Sequence, residues 1–528
     1  MLPDPGVAPG SAAGLEAAVV GSGPNGLAAA VTLARAGARV TVYEAAPAIG
    51  GAARTAVRDV PGVGEVHYDV GSAVHPTALV SEFLAGVGLT ERVEFARPEI
   101  SYAHPLPTGG DTARGRGGTG PGGSGAAAGL AWRDPDRTLA GLAAAAPAEA
   151  DAYRRIVLPL ARRTEDLARL LLHPVLPLPA LGPRGRGATT AARLALASAA
   201  LAVPPLHGAL TRRAPVVAAM LAGLRAHLPG GGTGPGAQGA ALLLAALAHG
   251  QGWAIPRGGS GAITGALAAV LAEAGGRIEL GRRIDDRREL PQPLVLFDTA
   301  PEAFAAAVPG LPAAVERRLL ERRRGPGAAV VHFVTGAPVP WADPRLGAAG
   351  TLHLGGGAVE LAASERASRS RFPAENPYVL LSQPSVVDPG RAPAGHHVLW
   401  TYTHVPPGGP GAEAVRAAVQ AQIERHAPGF GATVLDAWVE GPADLEAGNP
   451  NLVGGDIAGG AVDTRGLLLR PGFGLRSSLG GAPWRSPAAG VYLCSASTPP
   501  GPAVHGMAGH LAARAALADA RLLRRADL

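Results

Sequence analysis

Lysine is absent from this 528-residue chain, so all 47 basic residues are arginine. No lysine amine is available to hold a catalytic water. Cysteine is almost absent: Cys494 stands alone, which excludes an intrachain disulfide and a thiolate metal cluster and fits a reducing compartment. Lying in an apolar run, Cys494 reads as a packing residue. Aromatic residues are only 4% of the chain, so the core must be built from Ala, Val and Leu, and no arginine cluster is interleaved with stacking rings. That argues against nucleic acid as a partner despite a net charge of +6. The 15 histidines show neither H-x-x-x-H nor H-E-x-x-H spacing, so no metal site is expected.

Long apolar runs are missing as well. Leu194 to Leu206 is too short to cross a bilayer and ends in Pro204-Pro205. Leu167 to Leu181 is apolar but proline-broken, a form that suits a core segment first and otherwise a tunnel wall or peripheral contact with a membrane. The first sixteen residues have neither a charged start nor an apolar stretch and read as a flexible leader, which makes the expected location cytoplasmic, with any membrane association peripheral.

What is present begins at Ala17. Ala17 to Val20 is an apolar run of strand length, and Gly21-Ser22-Gly23-Pro24-Asn25-Gly26 supplies a G-x-G-x-x-G turn. Gly21 permits the sharp turn, Gly23 lets the backbone approach a diphosphate, and Gly26 lets the following helix pack against the sheet. That helix, from about Pro24 to Ala36, presents free amides and the positive end of its dipole to an anion. Val40 to Tyr43 reads as the second strand, and Glu44 arrives where a carboxylate binds both ribose hydroxyls and repels a 2′-phosphate. The pattern therefore favours FAD or NAD over NADP.

The continuation selects between them. Gly50-Gly51-Ala52-Ala53-Arg54 resembles the GG-x-x-R extension of the flavin amine oxidase and phytoene desaturase superfamily. The resemblance implies that this stretch runs along FAD, with Arg54 as a charged partner of the cofactor. At the other end, Gly490 to Gly509 resembles the C-terminal FAD segment of phytoene-dehydrogenase-related oxidoreductases: a strand, a Pro/Gly turn, and a helix from about Gly506. That helix start, Gly506 and Met507, is expected at the flavin. Relatives carry an acid after the strand; here Cys494-Ser495 replaces it, which leaves Ser495 or backbone groups to meet the ribityl chain. Mid-chain, Gly252 to Ser260 and the helix after it resemble the segment that re-enters the FAD domain and crosses to a third parallel strand at Arg277 to Leu280, with Leu294 to Pro301 resuming the pattern.

The expected fold is α/β, a Rossmann-like FAD-binding domain of glutathione-reductase type with a doubly wound parallel sheet, plus an α+β substrate domain. The boundaries read as FAD-binding 1–107, a Gly-rich loop at 108–129, a helical substrate block at 130–250, FAD-binding 251–300, a strand-rich substrate block at 301–466, and FAD-binding 467–528. A second low-complexity loop runs from Pro229 to Gly239. Strands are expected at Ala328 to Thr335, Thr351 to Leu354, Tyr378 to Gln383 and His397 to Thr403, covered by a helix from Glu413 to His426.

Chemistry then falls to the flavin, which accepts hydride at N5 while the protein positions the substrate and excludes water. His505 is the first residue to test for proton handling near the ring, with positioning of the turn as its other reading. His227 and Trp253 are candidates to line the substrate channel, and Asn449, Asn451, Asp456 and Asp463 form a polar cluster before the last FAD segment. The resemblance implies hydride removal from an apolar, isoprenoid or carotenoid-like substrate, with oxygen, a quinone or a protein as electron acceptor. Amine oxidation, redox-neutral double-bond isomerisation and a non-catalytic FAD-binding scaffold are the alternatives. Amine oxidation, the first rival among enzymatic readings, stands only as an alternative because the lysine and the aromatic pair typical of that branch are missing.

Overall fold

A computed structural model describes residues 10, 12–107, 128–173, 186–230, 232–373, 375–468, 470, 473 and 482–526. Its strands, in chain order, are β1 (Glu16–Val20), β2 (Arg39–Tyr43), β3 (Thr55–Val60), β4 (Gly64–Asp69), β5 (Phe95–Ala96), β6 (Ile100–Pro105), β7 (Ala128–Trp132) and β8 (Ile255–Pro256). They continue as β9 (Arg277–Glu279), β10 (Leu294–Phe297), β11 (Gly327–Thr335), β12 (Thr351–Leu354), β13 (Val379–Ser382), β14 (His397–Val405), β15 (Val434–Glu440) and β16 (Val491–Leu493).

Five strands form a parallel sheet in the order β16-β10-β1-β2-β9. Parallel strands are buried on both faces and so need unbroken apolar runs. Ala17, Ala18 and Val19 of β1 are fully buried, as are Val295 and Leu296 of β10. Helices Pro24–Arg35, Gly261–Glu273 and Met507–Ala526 cover one face through Leu27, Val31, Ile263, Leu267, Ala512 and Ala516. The other face is closed by Phe304, Val315 and Leu319 from helices Pro301–Ala307 and Ala313–Leu320. With side chains this small the helices approach closely: a Cβ on Gly509 of the last helix would lie 1.8 Å from the carbonyl oxygen of Asn25 in the first.

The second sheet is mixed, in the order β15-β11-β14-β13-β12-β6-β7, with β12 parallel to β6 and its other pairings antiparallel. Period-2 alternation separates its faces. Ala103, Leu352, Leu381, Leu399, Val331 and Phe333 pack on Val415, Val419 and Ile423 of helix Ala412–Glu424. The alternate residues, including His104, His353, Trp400, Tyr402 and His404, point the other way and are also buried. Trp400 and Tyr402 there share a cluster with Ala73, which follows the β3–β4 hairpin, and with Ala218 and Ala222 of helix Pro215–Arg225.

Several expectations need correction. β6 and β7 join the second sheet, so 100–105 belongs to that sheet and not to the parallel sheet of the expected first FAD-binding segment. The expected Gly-rich loop at 108–129 is shortened, because β7 begins at Ala128 and pairs with β6; positions 108–127 lie outside the described residues. Helix Pro235–Leu247 starts inside the stretch read as a loop from Pro229 to Gly239. Proline tolerates the first helical turn, where its missing N–H has no intrahelical partner to lose. β15 was not anticipated, since its alternate positions carry Asp436 and Glu440 and its buried face is incomplete. Residues 174–181 of the apolar Leu167 to Leu181 stretch lie outside the described residues.

Among the described residues no single helix is long and apolar enough to cross a membrane. One pair, Ala188–Ala202 with Pro204–Arg213, passes only jointly and is bent by 86°.

Candidate dinucleotide-binding and active site

The site forms at the carboxyl ends of β1, β10 and β16, where an open parallel sheet binds its ligands. Gly23 is the N-cap of the first helix and Pro24 its first residue; Gly23 accepts the Leu27 amide at 2.9 Å. A Cβ on Gly26 would stand 2.1 Å from the carbonyl oxygen of Gly21, so only glycine closes this turn. Asn25 is buried with its Oδ1 unpartnered, an acceptor held at the mouth of the loop.

Glu44 is locked against the same turn. Its Oε2 accepts the Ser22 amide at 2.8 Å and the Ser22 hydroxyl at 2.6 Å, while Oε1 accepts the Ala46 amide at 2.8 Å. A carboxylate offers about four lone-pair directions, so acceptor capacity remains for ribose hydroxyls. Gly50 donates to the Ser22 carbonyl at 3.1 Å, and a Cβ on Gly51 would come within 3.3 Å of the Gly23 Cα. The two glycine motifs therefore lie against one another. Arg54 is half-buried and its guanidinium makes no ion pair with a side chain of the described residues, which leaves the charge free for an anion.

The C-terminal segment closes over this cradle. A Cβ on Gly506 would meet Phe83 at 2.8 Å and Ala28 of the first helix at 3.0 Å. His505 is buried, and its Nδ1 accepts the amide of Met507 at 3.0 Å. Its pKa is lowered to about 4, chiefly by burial, with the Gly501 backbone pulling partly the other way. A ring so capped and neutral positions the start of the last helix, and the Met507 amide is already engaged. Ser495 holds its own turn, accepting Thr498 Oγ1 on its carbonyl at 2.7 Å and the Ser497 amide on its hydroxyl at 3.3 Å. Burial, then the Asp298 charge, pushes the Cys494 thiol well up, which fits an inert packing residue.

Two groups with functional consequences were missed. Asp298 ends β10 and is 8% exposed; its Oδ2 accepts the Gly26 amide at 2.8 Å. The sequence shows it only as a polar break at the end of an apolar strand. Arg470 is buried and latches the loop before the C-terminal strand and helix, donating to Ala496 O at 2.9 Å, Ala458 O at 3.0 Å and Gly460 O at 3.1 Å. Within the expected polar cluster, Asn451 is tied to the strand end: its Oδ1 accepts the Ala300 amide at 2.7 Å, and its Nδ2 donates to Asp298 O at 3.4 Å. Asp456 binds Arg324 at 3.1 Å and the Gly460 amide at 2.7 Å; Asp463 pairs with Arg323 at 2.9 Å.

His227 and Trp253 stand together under the second sheet. Their rings are 5.5 Å apart, and His227 Nε2 lies 2.8 Å from His353 Nε2. Burial holds His227 at about 3 and His353 well below its ordinary value, so both are neutral. From His353 the rings run on through Tyr378 (6.3 Å), then Tyr402 (6.4 Å from Tyr378) and Trp400 (5.4 Å from Tyr402), making a continuous aromatic wall. Among the described residues no group of three metal-ligating side chains converges.

Residues 19–85 match the family described as NAD(P)-binding Rossmann-like domain. The chain carries a Rossmann-like dinucleotide-binding domain. Pyridine nucleotide-disulfide oxidoreductase domain-containing protein 2 of Rattus norvegicus is 32% identical over 161 residues, 29% of this chain and 27% of that one. The Mus musculus protein of the same name matches to the same extent, so the chain spans about a quarter of the length of the curated relatives it matches. Among solved structures, an oxidoreductase from Methanosarcina mazei aligns with a TM-score of 0.53 at 15% identity, covering 94% of this chain and 99% of that one. A cyclohexylamine oxidase from Brevibacterium oxydans aligns at 0.51 and 15%, covering 97% and 99%. The Rossmann-like domain with its parallel sheet, together with the mixed second sheet, is therefore the arrangement of the amine oxidase fold.

Proposed function

We propose that this protein is an FAD-dependent oxidoreductase that removes hydride from a substrate held beneath the seven-stranded sheet. The observation that carries the reading is the closure of both chain ends on one cradle: the Gly21 to Gly26 turn, the Gly50-Gly51 pair and the last helix, seated on the first at Asn25. The Gly21 to Gly26 turn, kept open by its glycines, would admit the diphosphate to the start of the first helix, Glu44 would hold the adenosine ribose, and Arg54 a phosphate charge. FAD, when bound, supplies the hydride acceptor. The protein's share is to bury the reacting carbon and keep water out.

The substrate we propose is largely apolar, the isoprenoid class being the first to test. Ala73, Ala218, Ala222 and Leu445 provide apolar contact, and the flat faces of Tyr378, Tyr402 and Trp400 suit a conjugated chain. A second reading, amine oxidation, is favoured by one feature of the same wall. His404 Nδ1 donates to Glu365 Oε1 at 2.8 Å, which leaves the buried Nε2 without a partner and offers a polar point on the wall to a nitrogen-bearing substrate. The deciding experiment is anaerobic reduction of the FAD-loaded protein by a panel of polyenes and amines. Bleaching by a polyene supports the first reading, and bleaching by an amine supports the second. No reduction by any member, with FAD bound, would contradict both.

A further inference from the structure

The diphosphate cradle already contains a carboxylate. Asp298 Oδ2 takes the Gly26 amide at 2.8 Å and lies 2.6 Å from where a Cβ on Gly23 would stand, so it sits over the two glycines that admit a diphosphate. The register explains how it gets there. β10 lies beside β1 with Phe297 opposite Val20, so the residue after Phe297 emerges beside the residue after Val20, which is Gly21. The Asp298 amide donates to the Val20 carbonyl at 2.8 Å and fixes this backbone, and Asn451 clamps the Asp298 carbonyl and the Ala300 amide. Those contacts fix the backbone, and the bond from the Gly26 amide holds the carboxylate over the glycines.

An ionised Asp298 and a diphosphate cannot share this cradle cheaply, because two like charges in a site of low polarity repel strongly. Among the described residues no arginine pairs with Asp298 to offset the charge: its hydrogen-bond partner is a neutral amide, and the titratable groups facing it are Glu44, itself acidic, and the Cys494 thiol.

We propose that Asp298 is a dinucleotide-binding residue that works in its protonated form, so that binding of the dinucleotide takes up a proton. The geometry suits the neutral acid: Oδ2 continues to accept from Gly26 while the hydroxyl on Oδ1 becomes a donor to a phosphate oxygen. The free protein is poised for this, since burial first, and then the Glu44 charge, raise the Asp298 pKa to about 7 against the pull of the Gly26 amide. The inference rests on the dinucleotide reading above.

The sign follows from linkage. A ligand that binds the protonated form loses affinity as pH rises through the pKa of the free protein, by about tenfold per unit well above it. The test is an FAD titration of the apoprotein, followed by flavin fluorescence, at about pH 6 and about pH 8. The dissociation constant is expected to rise by about tenfold across this interval for the native protein and to change by less than about twofold for Asp298→Asn, which keeps the acceptor for Gly26 but carries no titratable proton. Calorimetry near neutrality, in two buffers of different ionisation enthalpy, adds a readout that needs no variant: a substantial fraction of one proton should be taken up per FAD. Binding with no pH dependence and no proton uptake would overturn the proposal while leaving the cofactor assignment intact. So would an Asn variant that keeps the native pH dependence. Absence of binding at either pH, in protein that is folded, would overturn the cofactor assignment itself and this inference with it.

Discussion

Arg391 and Asp69 meet at 2.9 Å with both side chains only 1% exposed, an ion pair buried between a turn after β13 and the end of β4. The guanidinium also holds Asp388 at 2.6 Å and the Pro256 carbonyl at 3.2 Å. Asp69 in turn accepts Thr55 Oγ1 at 2.9 Å and the Ser260 amide at 2.7 Å. One cation thus ties together three separate chain segments next to the cofactor cradle. Arg391→Met would leave the buried Asp69 without its counter-charge and Asp388 with only Arg257 at 4.0 Å, and should destabilise the protein by about 3–5 kcal/mol in a denaturant titration.

Glycine substitutions should separate shape from propensity. Gly26→Ala places a methyl group 2.1 Å from the Gly21 carbonyl oxygen and is expected to abolish FAD binding. Gly265 lies exposed in helix Gly261–Glu273, where an added Cβ meets nothing within 4 Å. Gly265→Ala should therefore stabilise the fold by about 0.5–1 kcal/mol, the helix-propensity difference, and leave FAD affinity unchanged.

Apoprotein stability should carry the signature of Asp298. Its folded pKa is raised to about 7 from an unfolded value near 4, so the native state holds a proton that the unfolded chain releases between these values. Stability from this group is fully present below the unfolded value and is lost as pH rises to about 7. Asp298→Asn should match the native protein in acid and exceed it at mildly alkaline pH by up to a few kcal/mol, as read by thermal unfolding at the two pH values.

His505 should not appear in a pH–rate profile. Lowered to about 4 and bonded to the Met507 amide, it stays neutral throughout the usual working range. His505→Asn, which can still offer an acceptor to that amide, should retain most activity with an unshifted profile, whereas His505→Ala should weaken FAD retention through loss of the cap, by about tenfold. A profile whose inflection near neutrality vanishes in both variants would assign the proton to His505 after all.

Glu44→Ala removes the acceptor expected to meet the adenosine ribose and the tether for Ser22. A loss of about 1.5–3 kcal/mol, the range for hydrogen bonds to charged groups, should weaken FAD by between about tenfold and a hundredfold in an equilibrium titration.

The parallel sheet was legible because its signals are local: the β1 run, the glycine turn and Glu44 lie within thirty positions, and each has one mechanical use. The near-unbroken apolar stretch Leu294 to Phe297 and the strand before Cys494 are equally local. Partnerships across long separations were not legible. Asp298 reaches Gly26 across 272 positions and Arg391 reaches Asp69 across 322, and nothing in the flanking residues specifies either contact. His505 was visible as a titratable group beside a turn, but its Met507 partner and neutral state depend on burial, which composition does not reveal. β15 was obscured because charged residues occupy the positions that would mark a buried face.

The most direct test of the account is the stoichiometry of FAD on purified, folded apoprotein. One FAD per chain, bound by the native protein and lost in Gly26→Ala with the fold retained, is the predicted result. A folded native protein that leaves FAD free in solution, or a Gly26→Ala variant that binds it undiminished, would contradict the claim that the two ends of the chain close on one dinucleotide.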